Sequence, residues 1–204
     1  MKITQLKFKT ELYTNIIPLK NVKGWIQTPD EIYHETRKYF SVIGVHIEAM
    51  NREVRNWDQP IIKQDYLGLV GFIVQEINGV LHFLTQLKLE SGVMDLLEIS
   101  PTVQCITSNF EENDKPEFID DLLDSQNYTV LFDVSQSEEG GRFFKESNQN
   151  IIVEKMRTGN HNKPENFIWM NLFQMKNFIK FNNYVNVEAR SLIAGLPSIK
   201  YEQN

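Results

Sequence analysis

A row of polar side chains able to do acid–base chemistry occurs in residues 80–90, VLHFLTQLKLE. At a period of two, one side of this segment carries His82, Leu84, Gln86, Lys88 and Glu90, and the other side is apolar apart from one threonine. Same-side neighbours on a strand lie about 7 Å apart. An imidazole, an amide, an ammonium and a carboxylate in one row can bind a polyhydroxylated ligand and move a proton on it. The same pattern also fits the solvated face of a sheet.

A β-hairpin is the element that must position this row. Asn78-Gly79 separates two apolar-rich runs, residues 69–77 and 80–90. Asn-Gly between such runs is a strong hairpin signal because both residues tolerate positive φ. The polar row therefore belongs to the second strand of the predicted hairpin.

The rest of the chain reads as further strands followed mainly by helices. We predict strands over 39–47, 96–106, 128–134 and around 151–153, with an edge or a bulge at Pro101 because proline cannot donate to a ladder. Helices are predicted within 111–126, over 169–181 and over 186–196. This order indicates an α+β fold with an antiparallel or mixed sheet and flanking helices.

Trp57 stands out in the polar stretch 51–66, directly before Asp58-Gln59-Pro60. Tryptophan usually buries most of its surface, which favours a core anchor. A lid over a ligand is the alternative interpretation.

Length and charge narrow the class of protein. A chain of 204 residues fits one domain, taken here as 1–204, or one half of a larger symmetric assembly. A net charge of −6 argues against a nucleic-acid partner, which requires a clustered basic face. The single cysteine, Cys105, the lack of an apolar leader and the lack of a spanning run predict a soluble, cytoplasmic protein with no membrane partner.

Several common site motifs do not occur in the sequence. It contains no GxGxxG, no GxxxxGK[ST], no zinc-type His/Cys spacing and no GxSxG. The residues alone therefore predict a ligand-binding α+β domain with a polar strand face.

A set of segments, in order along the chain, resembles the NDP-hexose 2,3-dehydratase family. The matching segments are 57–62 (WDQPII), 68–76 (GLVGFIVQE), 78–90 (NGVLHFLTQLKLE), 100–104 (SPTVQ), 108–110 (SNF), Asp133, 136–138 (QSE) with Gly140, 148–150 (NQN), Trp169, Gln174 and 185–191 (VNVEARS). They cover most of residues 20–198. A long ordered set is far more specific than any one segment.

The resemblance implies a fold and an assembly. Members of the family look like tandem duplications of an α+β unit related to the Nudix hydrolases, and this chain has the length of a single repeat. The Nudix metal-binding box is not visible in it. A homodimer would rebuild the arrangement of two halves, since duplication of a dimer often leaves the same interface within one chain.

The resemblance also implies a reaction. The family removes water across carbons 2 and 3 of a nucleotide-linked 4-keto-6-deoxyhexose, with a dTDP sugar as the expected ligand. The carbon-4 ketone acidifies the carbon-3 proton, a base removes it, and the carbon-2 hydroxyl leaves with help from an acid. This hydro-lyase chemistry implies no cofactor and no metal.

Four residues are the catalytic candidates that follow from the resemblance: His82, Lys88, Glu90 and Glu138. The ordinary pKa of His82 suits a base or an acid near neutral pH. Lys88 can donate to the carbon-4 oxygen or to a phosphate. Glu90 is either a base or simply the ion-pair partner of Lys88, and Glu138 is either catalytic or part of a glycine-containing turn.

Candidate substrate-binding residues follow from the matching segments. They are Trp57, Gln86, Gln104, Ser108, Asn109, Arg142, Asn186 and Arg190. Amides and hydroxyls suit the sugar or the base, and Arg190 can bind a pyrophosphate bidentately or pair with a carboxylate.

Some positions depart from the family pattern. Thr36-Arg37-Lys38 precedes Tyr39-Phe40 where the family usually has Ser-Gly-Arg before two aromatic residues. Such changes fit either an altered sugar specificity or a protein that binds a nucleotide sugar without turnover. A separate alternative is a 4-keto-sugar isomerase or epimerase, which shares the carbon-3 deprotonation.

Overall fold

The structure is a computed structural model that describes residues 2–107, 115–124, 126–155 and 163–196. Its helices are α1 (Lys2–Lys9), α2 (Ile119–Leu123), α3 (Leu172–Ile179) and α4 (Val187–Gly195), with a short 3-10 turn at Leu19–Asn21. Its strands are β1 (Trp25–Gln27), β2 (Glu31–His34), β3 (Ser41–Glu48), β4 (Asn56–Lys63), β5 (Gly68–Ile77), β6 (Val80–Leu89), β7 (Leu97–Ser100), β8 (Val103–Ile106), β9 (Tyr128–Ser137), β10 (Ser147–Lys155) and β11 (Phe167–Asn171).

The strands form two sheets. The smaller sheet has four antiparallel strands in the order β1-β2-β3-β4, and the larger has seven strands. The main order of the larger sheet is β11-β6-β5-β10-β9, with β7 paired to β6 and β8 paired to β5. Because β10 runs parallel to β5 while the other pairs are antiparallel, this sheet is mixed. The predicted α+β fold with a mixed sheet and flanking helices is confirmed.

The β5–β6 hairpin is also confirmed. Asn78 and Gly79 both have positive φ, 53° and 74°, and Ile77 pairs with Val80. Positive φ at both central residues matches the right-handed twist of the flanking strands.

The two strands of the hairpin diverge beyond the pair of Val74 and Phe83, and the connection from β7 to β8 enters between them. The hydroxyl of Thr102 accepts the N–H of Ile73 over 2.9 Å and donates to the carbonyl of Leu84 over 2.5 Å. The Thr102 side chain thus connects β5 and β6 at the point where the two strands no longer pair directly. The predicted single strand 96–106 is accordingly two strands, which separate at Pro101-Thr102.

Both faces of the larger sheet are covered. Phe83 and Leu87 belong to the core beneath α3 and α4, whereas Leu84 belongs to a second core on the opposite face, which includes Leu122 of α2. The polar side of β6 is therefore buried at its centre, and its polar groups are separated into two ends of the strand.

The smaller sheet joins the larger one through residues 138–144. The N–H of Ile62 donates to the carbonyl of Arg142, and the N–H of Phe144 donates to the carbonyl of Ile62, both over 2.8 Å. This connection pairs with the free edge of β4, so it ties the end of β9 to both sheets.

Two sequence expectations differ from the observed elements. The stretch 51–66 contains strand β4, in which exposed residues alternate with partly buried ones over 56–60. Its many polar side chains hide this alternation in the sequence. Residues 167–171 form β11 before α3 begins at Leu172, and the α3 N-cap is a capping box between Asn171 and Gln174.

Among the described residues, none of the helices combines the length and the apolar character needed to span a bilayer. Cys105 is partly buried on β8, and burial raises the pKa of its thiol to about 11.

Candidate active site

Lys88 and Glu90 lie at the far end of β6, where it has diverged from β5. The Nζ of Lys88 is 3.0 Å from Oε1 of Glu90, and it also donates to the backbone carbonyl of Gln104 over 3.3 Å. The Nε2 of Gln104 donates to the same Glu90 oxygen over 3.4 Å. The Lys88 side chain is 27% exposed, so it is held in place but remains accessible to a ligand.

Asn186 connects these groups to the start of α4. Its Oδ1 accepts the N–H of Ala189 over 2.9 Å, which caps the helix. Its Nδ2 donates to Oε1 of Gln104 over 2.7 Å. Because Asn186 is buried, the first turn of α4 is fixed against β8.

Glu138 approaches from the end of β9 and is oriented by Asn148 of β10, whose Nδ2 donates to Oε1 of Glu138. Asn148 pairs in register with Gly68 of β5. A Cβ at Gly68 would overlap Oδ1 of Asn148, so glycine is required for the amide to occupy this position.

Glu188 completes the group from the first turn of α4. Burial raises the pKa of its carboxyl, and the nearby carboxylates Glu90 and Glu138 raise it further. A hydrogen bond from the backbone N–H of Glu188 itself and the charge of Lys88 oppose this rise. Within the described part of the chain, the Glu188 carboxyl has no ion-pair or side-chain hydrogen-bond partner. It is therefore a half-buried acid that holds its proton more tightly than an ordinary glutamic acid.

Glu146, at the start of β10, is a further carboxyl beside this group. Burial, and then the charge of Glu138, raise the pKa of Glu146. Its Oε2 is buried without a hydrogen-bond partner in the described structure. We call the whole set the polar cluster, and its members are Lys88, Glu90, Gln104, Glu138, Glu146, Asn148, Asn186 and Glu188.

A groove of about 800 Å³ lies beside the polar cluster, between the smaller sheet and the 138–144 connection. Its lining includes Val45, Arg52, Val54, Trp57, Ile61, Gly140, Gly141 and Phe144. We call it the Trp57 groove. The indole N–H of Trp57 donates to Oε1 of Gln59 over 2.8 Å, and the Gln59 amide donates to the carbonyl of Gly141 over 3.0 Å.

Residues 138–144 place the Trp57 groove next to the polar cluster. Glu138 belongs to the cluster, and Gly140, two positions later, lines the groove. Two residues of chain span at most about 7 Å. Glu138 and the groove are therefore close enough for one extended ligand to contact both.

Trp57 fits neither of its two predicted roles fully. Its ring is partly buried on β4, and it forms a wall of the groove with the Arg52 guanidinium 5.2 Å from the ring centroid. An aromatic wall beside a cation suits a heteroaromatic base attached to a phosphate.

The structure does not bring His82 to the other catalytic candidates. Its Nδ1 contacts the carbonyl of Val80 over 2.8 Å, beside the hairpin turn. Six residues of strand separate it from Lys88, which corresponds to about 20 Å. Gln86 lies between them, and its backbone carbonyl accepts the hydroxyl of Ser100 over 3.1 Å.

The remaining predicted binding residues lie either at the edge of the site or outside the residues that the structure describes. Arg142 is exposed, with its Nε 3.4 Å from Oε2 of Glu139. Arg190 is also exposed, and its Nε donates to the carbonyl of Asn186 over 3.3 Å. Ser108 and Asn109 lie outside the described residues.

Three members of the polar cluster escaped the sequence analysis: Glu146, Asn148 and Glu188. Asn148 and Glu188 both lie in segments that carry the family resemblance, residues 148–150 and 185–191. Asn186 is the N-cap of α4 and Glu188 lies in its first turn. This capping pattern can be recognised in the sequence, and it places the two residues at the same end of the helix.

The polar cluster can support proton transfer next to a developing negative charge. It contains a carboxyl with a raised pKa, a carboxylate oriented by an amide, and an ammonium on a partly exposed side chain. Carboxyls whose environments differ are the usual acid and base pair of an enzyme site. In the described ranges, His, Cys, Asp and Glu side chains form no group of three or more suited to a metal ion.

The family model described as NDP-hexose 2,3-dehydratase matches residues 2–196 of the chain. Three relatives carry the name dTDP-4-dehydro-6-deoxy-alpha-D-glucopyranose 2,3-dehydratase. The one from Saccharopolyspora spinosa is 38% identical over 198 residues, which is 96% of this chain and 41% of the relative. Those from Streptomyces violaceoruber and Amycolatopsis orientalis are 40% and 35% identical, over 87% of this chain and 41% and 38% of the relatives. The chain thus spans less than half the length of these relatives.

Among solved structures, the chain is similar to an ADP compounds hydrolase, at 13% identity and a TM-score of 0.47, over 78% of this chain and 85% of that one. It is also similar to a Nudix hydrolase from M. smegmatis, at 12% identity and a TM-score of 0.43, over 76% and 94% of the two chains. At these scores the likenesses carry no information about activity.

Proposed function

Because this chain belongs to the NDP-hexose 2,3-dehydratase family, we propose that it is a hydro-lyase that removes water across carbons 2 and 3 of a dTDP-4-keto-6-deoxyhexose. The substrate class comes from the names of the three relatives, which all specify a dTDP-4-dehydro-6-deoxyglucose. Deoxysugar biosynthesis, for an O-antigen or a glycoside, is the corresponding setting.

The observation that carries this proposal is the junction of the Trp57 groove and the polar cluster at residues 138–144. A nucleotide sugar has an aromatic base at one end and a sugar at the other. The base lies against Trp57, and the hexose reaches Glu138, Lys88 and Glu188. Arg142 and Arg190 are both exposed at the edge of the site. They bind the pyrophosphate, which connects the base in the Trp57 groove to the hexose in the polar cluster.

The roles in the reaction follow from the state and position of each side chain. Glu138, oriented by Asn148, takes the carbon-3 proton. The Lys88 ammonium stabilises the oxygen on carbon 4 as the enolate forms. Glu188 then gives its proton to the carbon-2 hydroxyl, the bond from carbon 2 to oxygen breaks, and water leaves.

The other polar groups hold these three in position. Glu90 and the Gln104 carbonyl fix the Lys88 ammonium, and Asn186 fixes the start of α4, which carries Glu188. The proton taken by Glu138 and the proton given by Glu188 balance, so the pair returns to its starting state by one proton transfer through solvent. The proposed reaction is redox-neutral and uses no cofactor.

The chain further acts as a homodimer in this proposal. It matches 41% of the Saccharopolyspora relative, and a second copy supplies a comparable length of folded chain. A two-fold pair of identical chains is the commonest symmetric assembly of soluble proteins.

The test is incubation with dTDP-4-keto-6-deoxyglucose in deuterated water, followed by mass spectrometry and proton NMR. Loss of water with deuterium entering at carbon 2 is the expected result, because the enol left after the carbon-3 proton and the carbon-2 hydroxyl depart takes up a solvent deuteron there. The UDP and GDP sugars serve as nucleotide controls. Exchange at carbon 3 without loss of water would indicate an isomerase or epimerase instead. Binding without either change would indicate a non-catalytic nucleotide-sugar protein and overturn the lyase assignment.

A further inference from the structure

An exposed apolar arm precedes the smaller sheet. Residues 10–18, here called the arm, run from the end of α1 to the 3-10 turn at Leu19–Asn21 without regular secondary structure. Tyr13, Ile16 and Ile17 in the arm are 84%, 105% and 50% exposed. Residues 12–19 (LYTNIIPL) contain no charged side chain. An uncharged segment with this much exposed apolar surface is unusual for a chain that stays alone.

The arm is fixed at both ends and free along its length. Ile3 of α1 is buried in the main core, and Lys7 pairs with Asp95 over 2.5 Å. At the other end, the carbonyl of Pro18 accepts the N–H of Asn21 over 2.8 Å. Within the described structure, the one side-chain hydrogen bond of residues 11–17 is internal, from Tyr13 to Glu11 over 3.3 Å. The arm is thus presented to solvent at a defined place.

A small apolar pocket begins where the arm ends. It has a volume of about 220 Å³ and is lined by Leu19, Val22, Trp25, Gln27, Ile32, Phe40 and Val42. The rings of Trp25 and Phe40 form one wall, with centroids 4.8 Å apart. This volume is below the roughly 300–1,000 Å³ of small-molecule sites, and it suits one or two aliphatic side chains.

We propose that the arm of one copy of this chain docks into the apolar pocket of a second copy, with Ile16 as the inserted side chain. The inference deepens the homodimer of the proposed function, on which it rests for the idea of a second copy. The arm ends at the pocket of its own chain, so a two-fold axis near Pro18 places two arms antiparallel. Each arm then reaches the pocket of the other chain, which is a self-complementary contact.

The exposed surface is large enough for a stable pair. Phe8 of α1 extends the apolar surface of the arm and is 87% exposed. Aromatic side chains bury 150–250 Å² each, so this residue with the arm buries roughly 500 Å² per chain. Two arms and the surfaces that receive them total on the order of 2,000 Å², within the range of stable protein interfaces.

The arm allows a matched pair of variants. Ile16→Asp places a charge on the proposed anchor, and Thr14→Asp places the same charge on the same exposed arm without removing an apolar side chain. Both residues are exposed in the single chain, so neither change disturbs its core. Circular dichroism and thermal melting confirm that both variants fold.

The first measurement is the mass of the unmodified protein by light scattering and sedimentation across a range of concentrations, without substrate. A dimer is expected. Ile16→Asp should weaken dimerisation by about 1,000-fold, because each dimer loses two buried isoleucines, whereas Thr14→Asp should change it by a few-fold at most. A monomer at every concentration, or equal effects of the two variants, would overturn the proposal.

A cross-linking experiment identifies the contact. Differently tagged chains that carry Ile16→Cys or Phe40→Cys are mixed and oxidised. A disulfide between the two tags places the arm of one chain at the pocket of the other, and a dimer without this cross-link overturns the arm assignment.

Dehydration is assayed separately. A dimer without dehydratase activity would leave the arm inference intact and remove the proposed function. An active monomer would overturn the arm inference and the homodimer, and would leave the dehydratase activity of the proposed function standing.

Discussion

The side chain of Asn186 joins parts of the candidate site that lie 82 residues apart in the chain: its Nδ2 donates to Oε1 of Gln104 over 2.7 Å, while its Oδ1 caps α4. This buried amide sets where the first turn of α4 sits relative to β8. Glu188 lies in that turn, and the charges of Lys88 and Glu90 act on its carboxyl.

Two replacements of Asn186 should therefore distinguish its effect on helix capping from its effect on the geometry of the site. Asn186→Ala removes both hydrogen bonds and should cost about 1–2 kcal/mol of stability. Asn186→Ser keeps a capping oxygen, so it should recover most of that stability but not the contact with Gln104. Urea unfolding and kcat of the two variants test this. Equal activity of Asn186→Ser and the unmodified protein would show that the Gln104 contact has no role in the site.

Glu188→Gln should lower kcat by roughly 10²–10⁴-fold, because the proposed acid loses its proton donor. In the unmodified protein, the rate should fall as pH rises through the raised pKa of Glu188, and this limb should disappear in the variant. Glu76→Gln, an exposed carboxyl at the end of β5, is the control. A basic limb that persists in Glu188→Gln would assign it to another group.

The same group gives a signed prediction for stability. The folded-state pKa of Glu188 is raised. Its contribution to the free energy of unfolding is therefore fully present below the ordinary glutamic acid pKa, and it is lost as pH rises through the raised value. Glu188→Gln should thus gain stability relative to the unmodified protein at neutral pH but not at acidic pH. Urea unfolding at the two pH values measures the difference.

Gly68→Ala should displace Asn148, because the new methyl group overlaps its amide oxygen. The crowding should cost about 1–3 kcal/mol and lower activity, since Asn148 orients Glu138. Gly44→Ala is the matched control: this strand glycine has open space around it. Adding Asn148→Ala to Gly68→Ala should restore stability without restoring activity, a coupling that a double-mutant cycle detects.

Lys88→Met and His82→Ala compare the two ends of β6. Lys88→Met should reduce dehydration by about 100-fold or more, because the developing oxyanion loses its cation. His82→Ala should change the rate by a few-fold at most, since His82 contacts Val80 at the hairpin turn rather than the polar cluster. A large loss of activity in His82→Ala would restore His82 as the base or acid.

His46, at the edge of the Trp57 groove, should titrate above the ordinary histidine range. Its Nδ1 lies 2.7 Å from Oδ1 of Asp58, and this hydrogen bond raises the pKa of His46. Asp58→Asn should bring the pKa down again, because the amide does not carry the charge that favours imidazolium. A pH titration of the His46 ring protons by NMR in both proteins measures the shift, and an unchanged pKa in Asp58→Asn would exclude Asp58 as its cause.

The sequence by itself determined the elements whose signals are local. The Asn78-Gly79 turn, the alternation along β6 and the α4 segment behind Asn186 all appeared where the structure has them, because turn conformation, strand period and helix capping depend on neighbouring residues. The ordered segments also identified the family, which the match over residues 2–196 confirms.

The tertiary structure decided which polar residues meet. Alternation placed His82, Lys88 and Glu90 in one row, but Leu84 is buried beneath α2 and divides that row into two ends. Glu188 of α4 lies where the charges of Lys88 and Glu138 act on it, and Asn148 of β10 holds Glu138 at the end of β9. The positions of these elements depend on sheet order and on the divergence of β5 from β6. The pairing of distant strands and the burial of the Glu188 carboxyl depend on contacts between residues that are far apart in the chain. No local sequence pattern encodes such contacts.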